Sequence, residues 1–103
     1  MNHSRSLPLT ETTYFILIAL LEPGHGYHVM QKVEEMSDGR VRIAAGTMYG
    51  AIENLLKLGW IKSVPSDDKR RKMYVTTKDG EEILRLEKER LSKLVTIAKN
   101  NGL

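Results

Sequence analysis

The chain has 103 residues, sixteen basic and thirteen acidic side chains, a formal net charge of +3 and no cysteine. That length fits one small domain, and the lack of cysteine excludes a disulfide framework, a thiolate metal site and a thiol nucleophile. The longest apolar run, Tyr14 to Leu21, falls far short of the ~20 residues that span a bilayer, and Met1 to Ser6 lead into no signal-like apolar region, so the expectation is a soluble cytoplasmic protein with no membrane partner.

A polar arm, residues 1–9, ends in Leu7-Pro8-Leu9. Thr10 is a candidate N-cap, and Glu11 suits the positive end of a helix dipole. The first helix is predicted from about Glu11 to Glu22, and Tyr14 to Leu21 within it are apolar on every side. A helix of that kind is buried on every side. A chain this small can hardly cover it alone, so part of it is expected to meet a second subunit; a central core helix in a monomer is the alternative. Pro23-Gly24-His25-Gly26 turns the chain. A second helix follows from about Tyr27 to Met36, with Val29, Met30, Val33 and Met36 at core spacing. His25 and His28 lack companions to complete a coordination sphere, so no metal site and no cofactor are expected. Ser37-Asp38-Gly39 ends this helix.

The third helix is predicted from about Gly46 to Leu58, with Gly59 at the C′ position. At about 100° per residue, Met48, Ile52, Leu55 and Leu56 form an apolar stripe. Gly46, Gly50, Glu53, Asn54 and Lys57 take the opposite face, flanked by Thr47 and Tyr49. A glycine inside a helix costs roughly 1 kcal/mol relative to alanine. Gly50 therefore suggests close approach of something large, such as a DNA major groove, or is simply tolerated at the surface. Two helices followed by a polar-faced third are a helix-turn-helix arrangement.

Trp60 to Val64 reads as a strand and Met73 to Thr76 as its partner. Between them Pro65-Ser66-Asp67-Asp68 marks a loop, and Lys69, Arg70, Arg71 and Lys72 follow it. A cationic hairpin beside a reading helix suits phosphate or minor-groove contact. The charge distribution agrees. Residues 1–39 carry two basic and five acidic side chains, residues 40–78 nine and three, and residues 79–103 five of each. Positive charge confined to the middle third is the footprint of a polyanion partner. Thr77 caps a last helix from about Lys78 to Lys99, whose stripe is Ile83, Leu86, Arg90, Leu91, Leu94 and Ile97 or Ala98. Arg85, Glu87, Lys88, Glu89 and Lys93 occupy the intervening positions. Such a helix suits pairing with another helix.

Several motifs, in order, resemble the PadR family of winged-helix transcriptional regulators. Ile16-Leu17 with Leu20-Leu21 resembles the family's first helix, and Gly24-His25-Gly26-Tyr27 its HGY element. Gly46-Thr47-Met48-Tyr49, continuing to Ile52 and Leu55, resembles the G-T-L-Y-x-x-L signature of its recognition helix. Gly59-Trp60-Ile61 stands where the family has Gly-Leu-Ile. Arg70-Arg71-Lys72-Met73-Tyr74 with Thr77 and Gly80 resembles its wing and exit. The resemblance covers roughly residues 9–85. It implies a homodimer with one winged helix-turn-helix per subunit, usually a repressor, and the short C-terminus implies dimerisation through the last helix and often the first. Some short members bind flat aromatic ligands with aromatic side chains of the last helix; residues 78–103 contain no Trp, Tyr or Phe.

The resulting expectation is a mostly α fold with a small β-hairpin. Residues 1–77 form a winged helix-turn-helix and residues 78–103 a C-terminal dimerisation helix. The function expected is a sequence-specific regulator, with repression as its role, that binds double-stranded DNA as a homodimer on a palindromic operator; a small-molecule effector is left open. The recognition helix offers Gly46, Thr47, Tyr49, Gly50 and Asn54. Lys69, Arg70, Arg71 and Lys72 in the wing, with Arg42 and Lys32, offer phosphate contacts. The dimer interface is expected at Tyr14, Phe15, Ile18, Leu86, Arg90, Leu91, Leu94 and Ile97. A winged-helix module for protein interaction is the alternative. No nucleophile, base and acid fall together, so no enzymatic activity is expected.

Overall fold

The structure, a computed structural model, describes residues 6–103. The start of the N-terminal arm, residues 1–5, lies outside the described residues. Seven elements follow in order: α1 (Glu11–Ala19), β1 (Gly24–His25), α2 (Gly26–Met36), α3 (Ala45–Leu58), β2 (Ile61–Val64), β3 (Met73–Thr76) and α4 (Lys78–Asn100). They form four helices around a small antiparallel sheet, the mostly α winged-helix fold expected.

The ends of the helices follow from local chemistry. The Thr10 hydroxyl accepts the Thr13 N–H at 3.1 Å, and the Thr77 hydroxyl accepts the Gly80 N–H at 3.1 Å. Each satisfies an N–H that the first turn leaves without a partner. Gly59 closes α3 with φ 76°, a left-handed conformation that costs glycine nothing.

α1 ends at Ala19, three residues before its expected limit. Its last carbonyls are claimed from outside the helix: Thr76 donates its N–H to the Leu20 carbonyl at 2.7 Å and its hydroxyl to the Leu17 carbonyl at 2.9 Å. The chain released at Leu20 then forms β1, a strand of two residues where the sequence predicts only a turn. β1 pairs with β3 through Gly24 opposite Tyr74 and His25 opposite Met73. The sheet order is therefore β1-β3-β2, with the hairpin registered from Ile61 opposite Thr76 to Val64 opposite Met73. The expected first residue of the hairpin, Trp60, precedes β2; its side chain is buried and its carbonyl accepts the Thr77 N–H at 2.9 Å.

The core gathers Ile16, Leu17 and Leu20 from α1, Val29 and Val33 from α2, Met48, Ile52 and Leu55 from α3, and Trp60, Ile61 and Tyr74 from the sheet region. Ile83 and Leu84 of α4 complete it. α4 thus divides along its length. Its first turns pack in the same core as the winged helix, whereas Leu91, Leu94, Val95 and Ile97 are exposed. The described residues extend 53 × 34 × 20 Å.

Glu87, one of the charged positions between the expected stripe residues, is buried, at 2% exposure. One carboxylate oxygen accepts the Leu9 N–H at 2.7 Å, and the other accepts from Arg90. The hydrogen bond from Arg90, helped by that from Leu9, outweighs burial and holds the carboxyl below the usual carboxylate range. A carboxylate with a depressed folded value stabilises above its unfolded value, near about 4.3, and loses that contribution as pH falls through the folded one. Glu87→Gln should therefore cost about 1.5 kcal/mol at pH 7. The gap from the unmodified chain should close as pH is lowered from 5 through the carboxylate range. Urea unfolding at fixed protein concentration, at pH 7 and at pH 3, checks both; an equal gap at the two values would remove the ionised carboxylate from the account.

Candidate nucleic-acid interface

The outer face of α3 is open. Gly46, Thr47, Gly50 and Asn54 are all exposed. A Cβ placed on Gly46 or on Gly50 would meet nothing within 4 Å. Neither glycine has a positive φ. No contact within the chain thus requires glycine at either position, one helical turn apart, in a helix where each costs roughly 1 kcal/mol. Gly26, at the start of α2, differs: its Cβ would lie 3.2 Å from the Tyr49 ring. A Cβ there would be tight against the ring, which would have to give by a few tenths of an ångström.

That contact redirects Tyr49. Its ring lies across the first turn of α2 and lines a concave site between α2 and the wing. Arg70, Arg71, Lys72 and Tyr74 line the same site. Four of the expected contact residues, Tyr49 with Arg70, Arg71 and Lys72, are therefore brought together, beside the α3 face that carries the other expected readers. Lys69 lines an adjoining depression, with Ser63 and Asp68. His25, Tyr27 and Tyr74 belong to the first concavity and are not among the contact residues expected from sequence. Their signals in the chain are the HGY element for His25 and Tyr27 and the wing motif for Tyr74.

Asp68 shapes the wing tip. Its carboxylate accepts the Arg70 N–H at 2.9 Å and lies 4.0 Å from both the Arg70 and the Arg71 guanidinium. The Ser66 hydroxyl donates to the Asp68 carbonyl at 3.1 Å. These local bonds hold a short turn while leaving the Arg70 side chain 96% exposed. The wing edge is tied to α2 by His25, whose Nδ1–H donates to the Lys72 carbonyl at 3.1 Å.

The two flanking cations have partners within the chain. Arg42 pairs with Glu34 at 3.0 Å, and Lys32 with Glu22 at 3.7 Å, beyond the end of α1. Arg40 pairs with Glu11, and that hydrogen bond lowers the Glu11 carboxyl and raises the Arg40 guanidinium. The basic excess of the middle third is thus concentrated in the wing.

The residues expected at a subunit interface are divided between two environments. Tyr14, Phe15 and Ile18 are half-buried against the core, and Leu86 is half-buried on α4. Leu91, Leu94 and Ile97 are exposed. Tyr14, Phe15, Arg90 and Leu91 line one groove between α1 and α4. Val95, which lies outside the expected stripe, is exposed alongside them. Among the described residues no group of three or more His, Asp or Glu is placed to hold a metal ion, and no helix is long and apolar enough to cross a membrane.

The model of the transcriptional regulator PadR-like family matches residues 16–86. The chain belongs to the PadR-like family. As a PadR-like protein it is a winged-helix DNA-binding transcriptional regulator. Solved structures agree. A transcriptional regulator from Clostridium thermocellum is 26% identical with a TM-score of 0.71, covering 88% of this chain and 91% of that one. A PadR family transcriptional regulator from Eggerthella lenta is 25% identical with a TM-score of 0.70, covering 86% and 79%. A PadR-like transcription factor from Bacteroides fragilis shares the fold at 22% identity, with a TM-score of 0.74 over 88% and 89%. No curated protein matches the chain closely enough to count as a relative. The family and the structural neighbours are regulators, not enzymes.

Proposed function

We propose that this PadR-like regulator is a homodimer that binds a palindromic operator and represses transcription. The observation that carries the reading is the α3 face, bare at Gly46 and Gly50 without any internal need for glycine, standing beside a wing with four cations. In this reading α3 enters the major groove. Asn54 and Thr47 reach base edges, Asn54 suiting a bidentate contact with adenine. Lys69, Arg70, Arg71 and Lys72 hold phosphates, which position the protein without reading sequence. Arg42 and Lys32 join them only by exchanging their carboxylate partners, a small cost for ion pairs at the surface.

The dimer reading is supported by the second half of α4, where Leu91, Leu94, Val95 and Ile97 stand in solvent on a helix whose first half is packed. Exposed apolar surface of this extent marks an interaction site. With Tyr14, Phe15 and Ile18 of α1 it forms the interface of the proposal. A two-fold axis then sets the half-sites roughly 34 Å, about ten base pairs, apart. Release of DNA by a small-molecule effector belongs to the same reading; the groove of Tyr14, Phe15, Arg90 and Leu91 is where such a ligand would touch both helices.

The test is sedimentation equilibrium of the purified protein, followed by titration with DNA from upstream of its own gene at two salt concentrations. A dimer that binds this DNA well above random duplex, with affinity falling steeply as salt rises, is the expected result. A monomer indifferent to sequence overturns the reading.

A further inference from the structure

We propose that the concave site between the first turn of α2 and the wing holds one phosphate group of the DNA backbone, gripped by the hydroxyls of Tyr49 and Tyr74 together with the N–H groups that open α2. The inference rests on the DNA-binding reading above and adds a contact point that is neither the wing tip nor the base-reading face of α3.

Three independent features converge there. The first is Tyr74. It sits on β3, 5% exposed, yet it lines the site. Its hydroxyl finds no hydrogen-bond partner among the described residues, and it is not sealed from the site. Open to the site, the hydroxyl is free to donate to an oxygen of an incoming ligand in place of water. Burial, with the nearby Tyr49 phenol adding to it, pushes Tyr74 above the usual tyrosine range. The hydroxyl therefore keeps its proton at neutral pH and stays a donor.

The second is the start of α2, an eleven-residue helix. Its N-cap, His25, gives no side-chain bond to the first turn, because its ring is turned to the Lys72 carbonyl. Uncapped N–H groups at the positive end of a helix dipole favour an anion. The Tyr49 ring lies close over Gly26, where a Cβ would stand 3.2 Å from it.

The third is charge. Arg70, Arg71 and Lys72 line the site, and no carboxylate does among the described residues. Phenols and amides give directed donors to a tetrahedral oxyanion, and the cations give net attraction. The site is bounded by α3 through Tyr49 and by the wing, the two elements assigned to DNA, so a backbone phosphate would reach it when both engage. Tyr49 accordingly grips phosphate and does not read bases.

The test uses the full chain and duplex DNA from upstream of its gene, first as such and then with a single methylphosphonate replacing each phosphate in turn. Tyr74→Phe and Tyr49→Phe should each weaken specific and random duplex in the same proportion, by about tenfold, the loss typical of a hydrogen bond to a charged group. One methylphosphonate per half-site should weaken the unmodified chain by a similar factor and Tyr74→Phe hardly at all. Unchanged affinity of Tyr74→Phe overturns the proposal. So does a loss that adds in full to the loss from every methylphosphonate, because Tyr74 would then act only through packing. Should Tyr74→Phe melt early, Tyr49→Phe, whose ring is at the surface, carries the same comparison. An unmodified chain that binds no duplex would overturn the DNA reading itself; duplex binding kept intact in both variants would overturn this site alone. Saturable binding of inorganic phosphate that Tyr74→Phe abolishes, without any methylphosphonate effect, would give the grip to a small phosphorylated molecule and overturn the backbone as occupant.

Discussion

Replacing Gly80 with alanine should destabilise the domain by at least about 3 kcal/mol, at or beyond the upper end of ordinary overpacking. Gly80 lies in the first turn of α4 and is buried. A Cβ there would stand 2.2 Å from the Trp60 carbonyl oxygen, 2.6 Å from Thr76 Cγ2 and 3.1 Å from the Trp60 carbonyl carbon. None of these atoms can yield cheaply. The Trp60 carbonyl is held by the Thr77 N–H at 2.9 Å, and Thr76 is held by its two hydrogen bonds to the end of α1. The methyl group must instead lift α4 off the sheet, exposing Ile83 and Leu84. For a domain whose whole stability is of order 5–15 kcal/mol, much of the population would unfold on mild heating. Gly50→Ala is the control, since its Cβ meets open space; it should gain roughly 0.5–1 kcal/mol from helix propensity. Urea unfolding of the three proteins at one concentration measures both shifts. Equal midpoints for Gly80→Ala and the unmodified chain would show that α4 does not dock on Trp60 as described.

Arg70→Ala with Arg71→Ala should lower the affinity for operator DNA by about a hundredfold at 0.1 M salt and reduce the slope of log affinity against log salt by about two units. Each phosphate neutralised on duplex DNA adds roughly 0.9 to that slope through counterion release. The two guanidiniums are exposed, and the turn of the short wing is built by Ser66 and Asp68 bonds to the backbone, so their removal leaves the hairpin in place. Random duplex should lose affinity by the same factor, because phosphate contacts carry no sequence information. Asn54→Ala supplies the contrast: without its hydrogen bonds to a base edge, discrimination between operator and random duplex should fall by about ten- to a hundredfold, and the salt slope should stay as it is. Fluorescence anisotropy at four salt concentrations separates the two behaviours. A double alanine variant with an unchanged slope would take the wing out of the phosphate contacts.

Much of this architecture is local in origin, and for that reason is legible in the chain. Thr10 and Thr77 cap helices because a hydroxyl reaches an N–H three residues on. Gly59 ends α3 because only glycine takes a left-handed φ without strain. Met48, Ile52 and Leu55 are buried because a period of 3.6 puts them on one face. The wing follows from two apolar runs separated by Pro65 and the Asp pair. By the same route the order of these motifs leads to the PadR-like family.

What the linear pattern misses has the opposite character. β1 is two residues long and exists only because β3, far along the chain, offers its edge. α1 stops early because Thr76 takes its carbonyls. Glu87 occupies a position that helical periodicity assigns to solvent, yet the N-terminal segment folds over it and donates the Leu9 N–H. Tyr49 flanks the reading face on a helical wheel, but the wheel holds no information about Gly26, against which the ring lies. The four helices and the hairpin, the threonine caps, the cationic wing and the bare outer face of α3 can be read from the chain alone, since each depends on residues near one another in sequence. Four things needed the folded molecule: where α1 stops and β1 forms, which polar groups are buried, where α4 leaves the core and which side of α3 Tyr49 serves. Each of them depends on atoms brought close from a distant part of the chain.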